Sequence, residues 1–193
     1  MVLVKTAYSV DIGLQEHNMA ITRLGPNTVN LTSAVTGTLP TANGGTGATS
    51  FTAGKVLQVI NASTSTETRS SANSFIDTTL TASITPSATS SKVLVTVFQN
   101  GCDKSAGSTD NKIELKLLRG STTLLAFSNH AAYSTDAESM AIGTCGVNYL
   151  DSPSTTSATT YKTQMKSPEG TANVGVQGTG SENSTIVLME IAG

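Results

Sequence analysis

The chain is 193 residues long, enough for one domain with its own core and a few dozen residues over. Charged residues make up only 12% of it, the formal net charge is -2, and the 11 Lys and Arg are scattered, so the basic stripe that duplex binding needs is missing and no nucleic acid is expected as partner. No run of 18 apolar residues occurs and the apolar part of Met1-Val-Leu-Val-Lys5 is too short for a signal peptide, which predicts a soluble chain with no membrane partner and no secretory address.

The surface must then be polar without being charged. The sequence holds 32 Thr and 24 Ser, residues that suit pleated strands and turns respectively. No window of a dozen residues keeps a 3.6-residue apolar period among good helix formers. The expected class is all-β.

Residues 1–36 read as an extended N-terminal arm. Leu24, Val29, Leu31 and Val35, with Leu39 beyond, are apolar positions spaced along a Thr/Asn/Ser background, too sparse to close a core alone but able to supply one edge each to a shared axis. Residues 37–54 follow as a Gly-rich segment, Gly37-Thr-Leu-Pro-Thr-Ala-Asn-Gly-Gly-Thr-Gly-Ala-Thr-Ser50, which includes Pro40, Gly44, Gly45 and Gly47 and reads as an ordered turn or linker. Its spacing is not that of a phosphate loop: Ser50 stands where the third Gly of a dinucleotide fingerprint belongs, and Gly54-Lys55 is followed by Val56. No cofactor is expected.

From residue 55 to residue 193 the pattern becomes short strands separated by turn chemistry, the spacing of a sandwich or barrel. Strands are predicted over 56–60, 74–80, 92–99, 112–118, 122–128, 138–150, 159–166, 173–177 and 184–191. In Ile113-Glu-Leu-Lys-Leu117 the apolar side chains share one face, and Arg119-Gly-Ser121 supplies the positive-φ residue of a tight hairpin. Val93-Leu-Val-Thr-Val-Phe98 and Ile186-Val-Leu-Met189 are nearly continuous apolar runs, which predicts central strands covered on both faces, the second cover being another subunit.

Candidate chemistry is thin. His17 and His130 have no ligand partner at metal spacing, and no Gly-x-Ser-x-Gly elbow anchors a hydrolase triad. Asp136 with Glu138, and Asp103 with Asp110, are the carboxylate pairs to weigh for glycosidase chemistry or, in the second case, calcium. Both lie in Ser- and Gly-rich turns where Asp is common for local hydrogen bonding. Cys102 and Cys145, 43 positions apart, fit no metal motif, and reduced thiols are the simplest reading. The sequence therefore predicts no catalytic and no metal residues.

The segment Gly37 to Ser50 closely resembles the GTLPxANGGTGAT element of phage tail fibre and tail-collar proteins. The remainder, including Ala82-Ser-Ile-Thr-Pro86, Tyr149-Leu-Asp-Ser-Pro153 and Leu188-Met-Glu-Ile-Ala192, resembles a knob common in structural proteins of phages from aquatic environments. The resemblance implies a homotrimeric virion protein assembled in the bacterial host cytoplasm, with residues 1–54 docked on phage tail or capsid proteins and an antiparallel, jelly-roll-like β-sandwich displayed outward. A bacterial surface glycan or protein is the implied contact, although 4 Tyr, 4 Phe and no Trp give few stacking platforms for sugars. A short tail fibre or adaptor is the first expectation, a capsid decoration or head-fibre protein the alternative, and a glycan depolymerase a distant third.

Overall fold

The computed structural model describes residues 56–105, 109, 111–170, 173–178 and 181–193. These belong to the second of the two units into which the chain divides, Thr52–Gly193. Leu24, Val29, Leu31, Val35, Leu39, Pro40, Gly44, Gly45, Gly47 and His17 lie outside the described residues, as does Asp110.

Ten strands follow in order: β1 (Val56–Thr64), β2 (Thr68–Ser70), β3 (Ile76–Ile84), β4 (Lys92–Lys104), β5 (Asn111–Arg119), β6 (Thr122–Ser134), β7 (Met140–Asp151), β8 (Thr159–Lys166), β9 (Val174–Val176) and β10 (Ser184–Ile191). Every pairing is antiparallel. The described residues contain no helix.

The pairings nest. β5 pairs β6, β4 pairs β7, β3 pairs β8 and β1 pairs β10, so the described domain is one long hairpin doubled on itself. Wrapping that hairpin places β1-β10-β4-β7 in one sheet and β3-β8-β5-β6 in the other. This is the strand order of a jelly roll, as expected. The innermost turn is the anticipated one, with Gly120 at φ +57 between β5 and β6. Short β2 and β9 pair with each other, and β9 extends the larger sheet beside the far end of β4 at Asp103 and Lys104.

Two apolar clusters fill the space between the sheets. Val93, Val95 and Val97 of β4 meet Ile186 and Leu188 of β10, Leu80 and Ile84 of β3, Leu117 and Tyr161 in one. Cys102, Ile113, Leu115, Met165, Val174 and Val176 form the other. Each fully buried aliphatic side chain contributes about 1.5–3 kcal/mol. Within this core runs a buried polar belt. Thr163 Oγ1 donates to Gln99 Oε1 (2.8 Å) and Gln99 Nε2 donates to Ser184 Oγ (3.1 Å). Turned so that both ends are satisfied, the Gln177 amide accepts from Gln99 Nε2 (2.6 Å) and Ser184 Oγ (2.7 Å) and donates to the carbonyls of Val176 and Thr66. Buried amides cost heavily unless bonded, and here each is.

Val93 to Phe98 and Ile186 to Met189 are covered on one face only: Val93, Val95, Val97, Ile186 and Leu188 are sealed, while Leu94 and Met189 are half-buried and Phe98 is 50% exposed. The smaller sheet covers their inner face, and their outer face is open within the chain.

Candidate functional site

The outer faces of the two sheets differ in kind. The smaller sheet is dressed with charge: Lys166 pairs with Glu114 (3.1 Å), Lys162 with Asp77 (2.9 Å), and the Lys116 ammonium lies 3.9 Å from the centre of the Phe75 ring. Long charged side chains there cover their neighbours' apolar surface and keep the face wet.

The larger sheet presents the opposite. Register aligns Val59, Met189, Leu94 and Leu150 in one row across β1, β10, β4 and β7. The next row outward is Asn61, Val187, Thr96 and Asn148, and the one after it Ser63, Thr185, Phe98 and Gly146. Among these rows no position is charged. Val59, Phe98 and Leu150 are each about half exposed (54%, 50% and 51%). A Cβ at Gly146 would stand 3.3 Å from the Phe98 ring, so the glycine lets that ring lie down on the sheet. Lys92 stands at the rim of these rows, and neighbouring apolar side chains in register with no charge among them make a surface that a protein partner can cover without stranding an ion.

At one end of the domain β2, β4, β7 and β9 frame a cleft of about 460 Å³, lined by Arg69, Asp103, Lys104, Ser105, Ser139, Met140, Ala141 and Asn173. Its charges are engaged inside the protein. Arg69 gives two guanidinium nitrogens to the two Asp103 oxygens (2.7 and 2.6 Å) and its Nε to Glu67. Lys104, 1% exposed, donates to the carbonyl of Asp136 (3.0 Å). Gly178 leaves room for the Arg69–Asp103 pair, since a Cβ there would stand 2.5 Å from Asp103 Oδ2. A carboxylate held by both oxygens to a guanidinium is a structural clamp, which is what Asp103 is here.

The other carboxylate pair, Asp136 and Glu138, is exposed in the connection between β6 and β7. Asp136 engages there through its backbone, its N–H donating to Ser134 Oγ (3.0 Å), as turn chemistry suggested. His130 is exposed and pairs edge-on with Tyr133. Among the described residues no group of three His, Cys, Asp or Glu could hold a metal ion.

A third cluster, missed in the sequence, closes the opposite side of the core. Asp151 of β7 accepts from Tyr161 Oη (2.7 Å) and from Arg119 through both oxygens (2.9 and 2.8 Å). Burial, and then the neighbouring Asp151 carboxylate, push the Tyr161 phenol well above its usual value. At the edge formed by β1, Glu190 is shut from solvent by a thin layer. Burial alone would raise its carboxyl, but hydrogen bonds from Ser87 and Gln58 outweigh that and hold it at about 2.

No protein-family description matches the chain. No curated protein matches it either. Among solved structures, the infectious bursal disease virus VP2 subviral particle aligns at TM-score 0.36 and 14% identity, over 72% of this chain and 38% of that one. The chain thus spans well under half of that protein's length, and so slight a likeness carries no argument.

Proposed function

We propose that this chain is a structural subunit of a bacteriophage particle, a short tail fibre or tail adaptor that works by adhesion and geometry and not by catalysis. The observation that carries the reading is the fourteen-residue element from Gly37 to Ser50, with its likeness to the collar of phage tail fibres, standing directly ahead of a jelly-roll domain. In this reading residues 1–54 dock on the particle, and the knob is displayed as a homotrimer. The three uncharged rows on the outer face of β1-β10-β4-β7 are the surface through which copies meet, since burying Val59, Leu94, Phe98 and Leu150 there leaves the Lys92 ammonium at the rim. Three knobs on one stem raise the effective concentration of weak contacts at a bacterial surface.

A capsid decoration protein is the competing reading, and one feature favours it: β1 begins at Val56, only a few residues beyond the Gly-rich element, with no repetitive stalk between. Gold-labelled antibody against the knob on intact particles separates the two. Label along or at the tip of the tail supports the fibre, label spread over the head supports decoration, and unlabelled particles overturn both.

A further inference from the structure

The fold brings together the only two cysteines in the chain. Cys102 follows the kink at Gly101, where φ is +61, and the register between β4 and β7 slips there: Gln99 faces Cys145 and Cys102 faces Gly143. The slip turns the Cys102 side chain to the inner face that Cys145 also occupies. Both sulfurs belong to the same apolar cluster. Cys102 is 0% exposed and its Sγ sits 3.3 Å from the carbonyl of Gln99, the residue paired with Cys145. The two thiols are close enough for each to perturb the other's titration. Cys145 is only half-buried, so a small solute reaches it.

We propose that Cys102 and Cys145 form an oxidisable pair that closes a disulfide within the chain and staples β4 to β7. Cys145 is the attacking sulfur. It is the more exposed of the two, and its neighbours pull its thiol below the ordinary value, whereas Cys102 is sealed in the core and the Cys145 sulfur and burial keep it a thiol. With a hydroperoxide as oxidant, the Cys145 thiolate attacks one peroxide oxygen and the O–O bond breaks. This leaves a sulfenic acid and a hydroxide, which takes up the proton lost from the Cys145 thiol. The Cys102 sulfur then attacks the sulfenic sulfur. The S–S bond forms as the S–O bond breaks, and hydroxide departs with the Cys102 proton as water. Two thiols lose two electrons and the peroxide gains them. Nothing in this step depends on the virion reading.

The test treats the full-length protein with hydrogen peroxide, quenches, and counts thiols after denaturation alongside the intact mass. The expected result is loss of both thiols, loss of the mass of two hydrogens per chain, and one cross-linked peptide pair containing Cys102 and Cys145. Closing a loop 43 positions long constrains the unfolded chain, so the oxidised protein should melt about 5–10 °C higher, and a reductant should reverse the rise. In Cys102→Ser, Cys145 should stop at the sulfenic acid and be captured by dimedone. Cys145→Ser should leave Cys102 unreactive in the folded protein. Two intact thiols after peroxide, a bond formed between chains, or an unchanged melting temperature after oxidation would each overturn the proposal.

Discussion

Replacing Tyr161 with Phe removes one hydroxyl from a ring that is 0% exposed and changes nothing else in its shape. That hydroxyl donates to the Asp151 carboxylate at 2.7 Å, and hydrogen bonds to charged groups are worth about 1.5–3 kcal/mol. Asp151 keeps Arg119, whose side chain is 30% exposed, so the carboxylate is not left alone. The expected loss is about 2 kcal/mol, or a fall in Tm of about 6–8 °C for a domain of this size. The pH dependence sharpens the test. The folded Tyr161 phenol titrates above the ordinary value of 10.0 because burial and the Asp151 charge favour its neutral form. A raised folded-state pKa means the stabilisation is whole below the unfolded value and is lost as pH rises beyond it. The gap in unfolding free energy between wild type and Tyr161→Phe should therefore hold steady up to about pH 9 and shrink toward about pH 11. Urea titrations followed by circular dichroism at several pH values measure this. A Tyr161→Phe protein within about 0.5 kcal/mol of wild type, or a gap that does not narrow with pH, refutes the account of the cluster.

Glu190 carries the opposite sign: its folded carboxyl, held at about 2 against an ordinary 4.5, contributes stability that is whole above the ordinary value and is lost as pH falls toward the folded one, so Glu190→Gln should flatten acid destabilisation in that window, read from urea midpoints. Gln99→Leu should cost about 2–4 kcal/mol, because Thr163, Ser184 and Gln177 lose a shared partner in a sealed layer, and thermal denaturation checks it. On the outer face of the larger sheet, Leu94→Lys should leave the knob's melting temperature within a few degrees of wild type, yet abolish self-association in sedimentation measurements.

The strands were legible where one physical signal dominated. Alternation marked Ile113 to Leu117, and a positive-φ glycine flanked by leucines marked the turn at Gly120. Ends were lost where strands continue through polar residues. β1 runs on through Asn61 to Thr64, and β4 passes a kinked Gly101 to reach Lys104, because ladder partners in β10, β7 and β9 override residues that locally prefer turns. The three-residue β2 carries Thr, Arg and Ser and has no apolar period to detect. The continuous run from Val93 to Phe98 correctly signalled a central strand but not what faces its second side, which no pattern within one strand encodes. The polar belt, the Tyr161–Asp151–Arg119 cluster and the Cys102–Cys145 contact were invisible for a different reason. Each needs at least one residue brought in from a strand distant in sequence, Arg119 to Asp151, Gln99 to Ser184 and Cys102 to Cys145, so the fold, not local spacing, creates them.

The nesting of the strand pairs also bears on how fast the folded domain becomes available. Only the β5–β6 hairpin is local; every later ladder must close a longer stretch of chain, ending with Val56 beside Ile191 at opposite ends of the described domain. Each ladder, once formed, shortens the effective loop for the next, so the cheapest route zips from Gly120 outward. Refolding should be slow, on the order of milliseconds to seconds, with the β1 edge arriving last. That edge carries Val59, so the surface on which copies would meet is completed only when the rest of the roll has already closed.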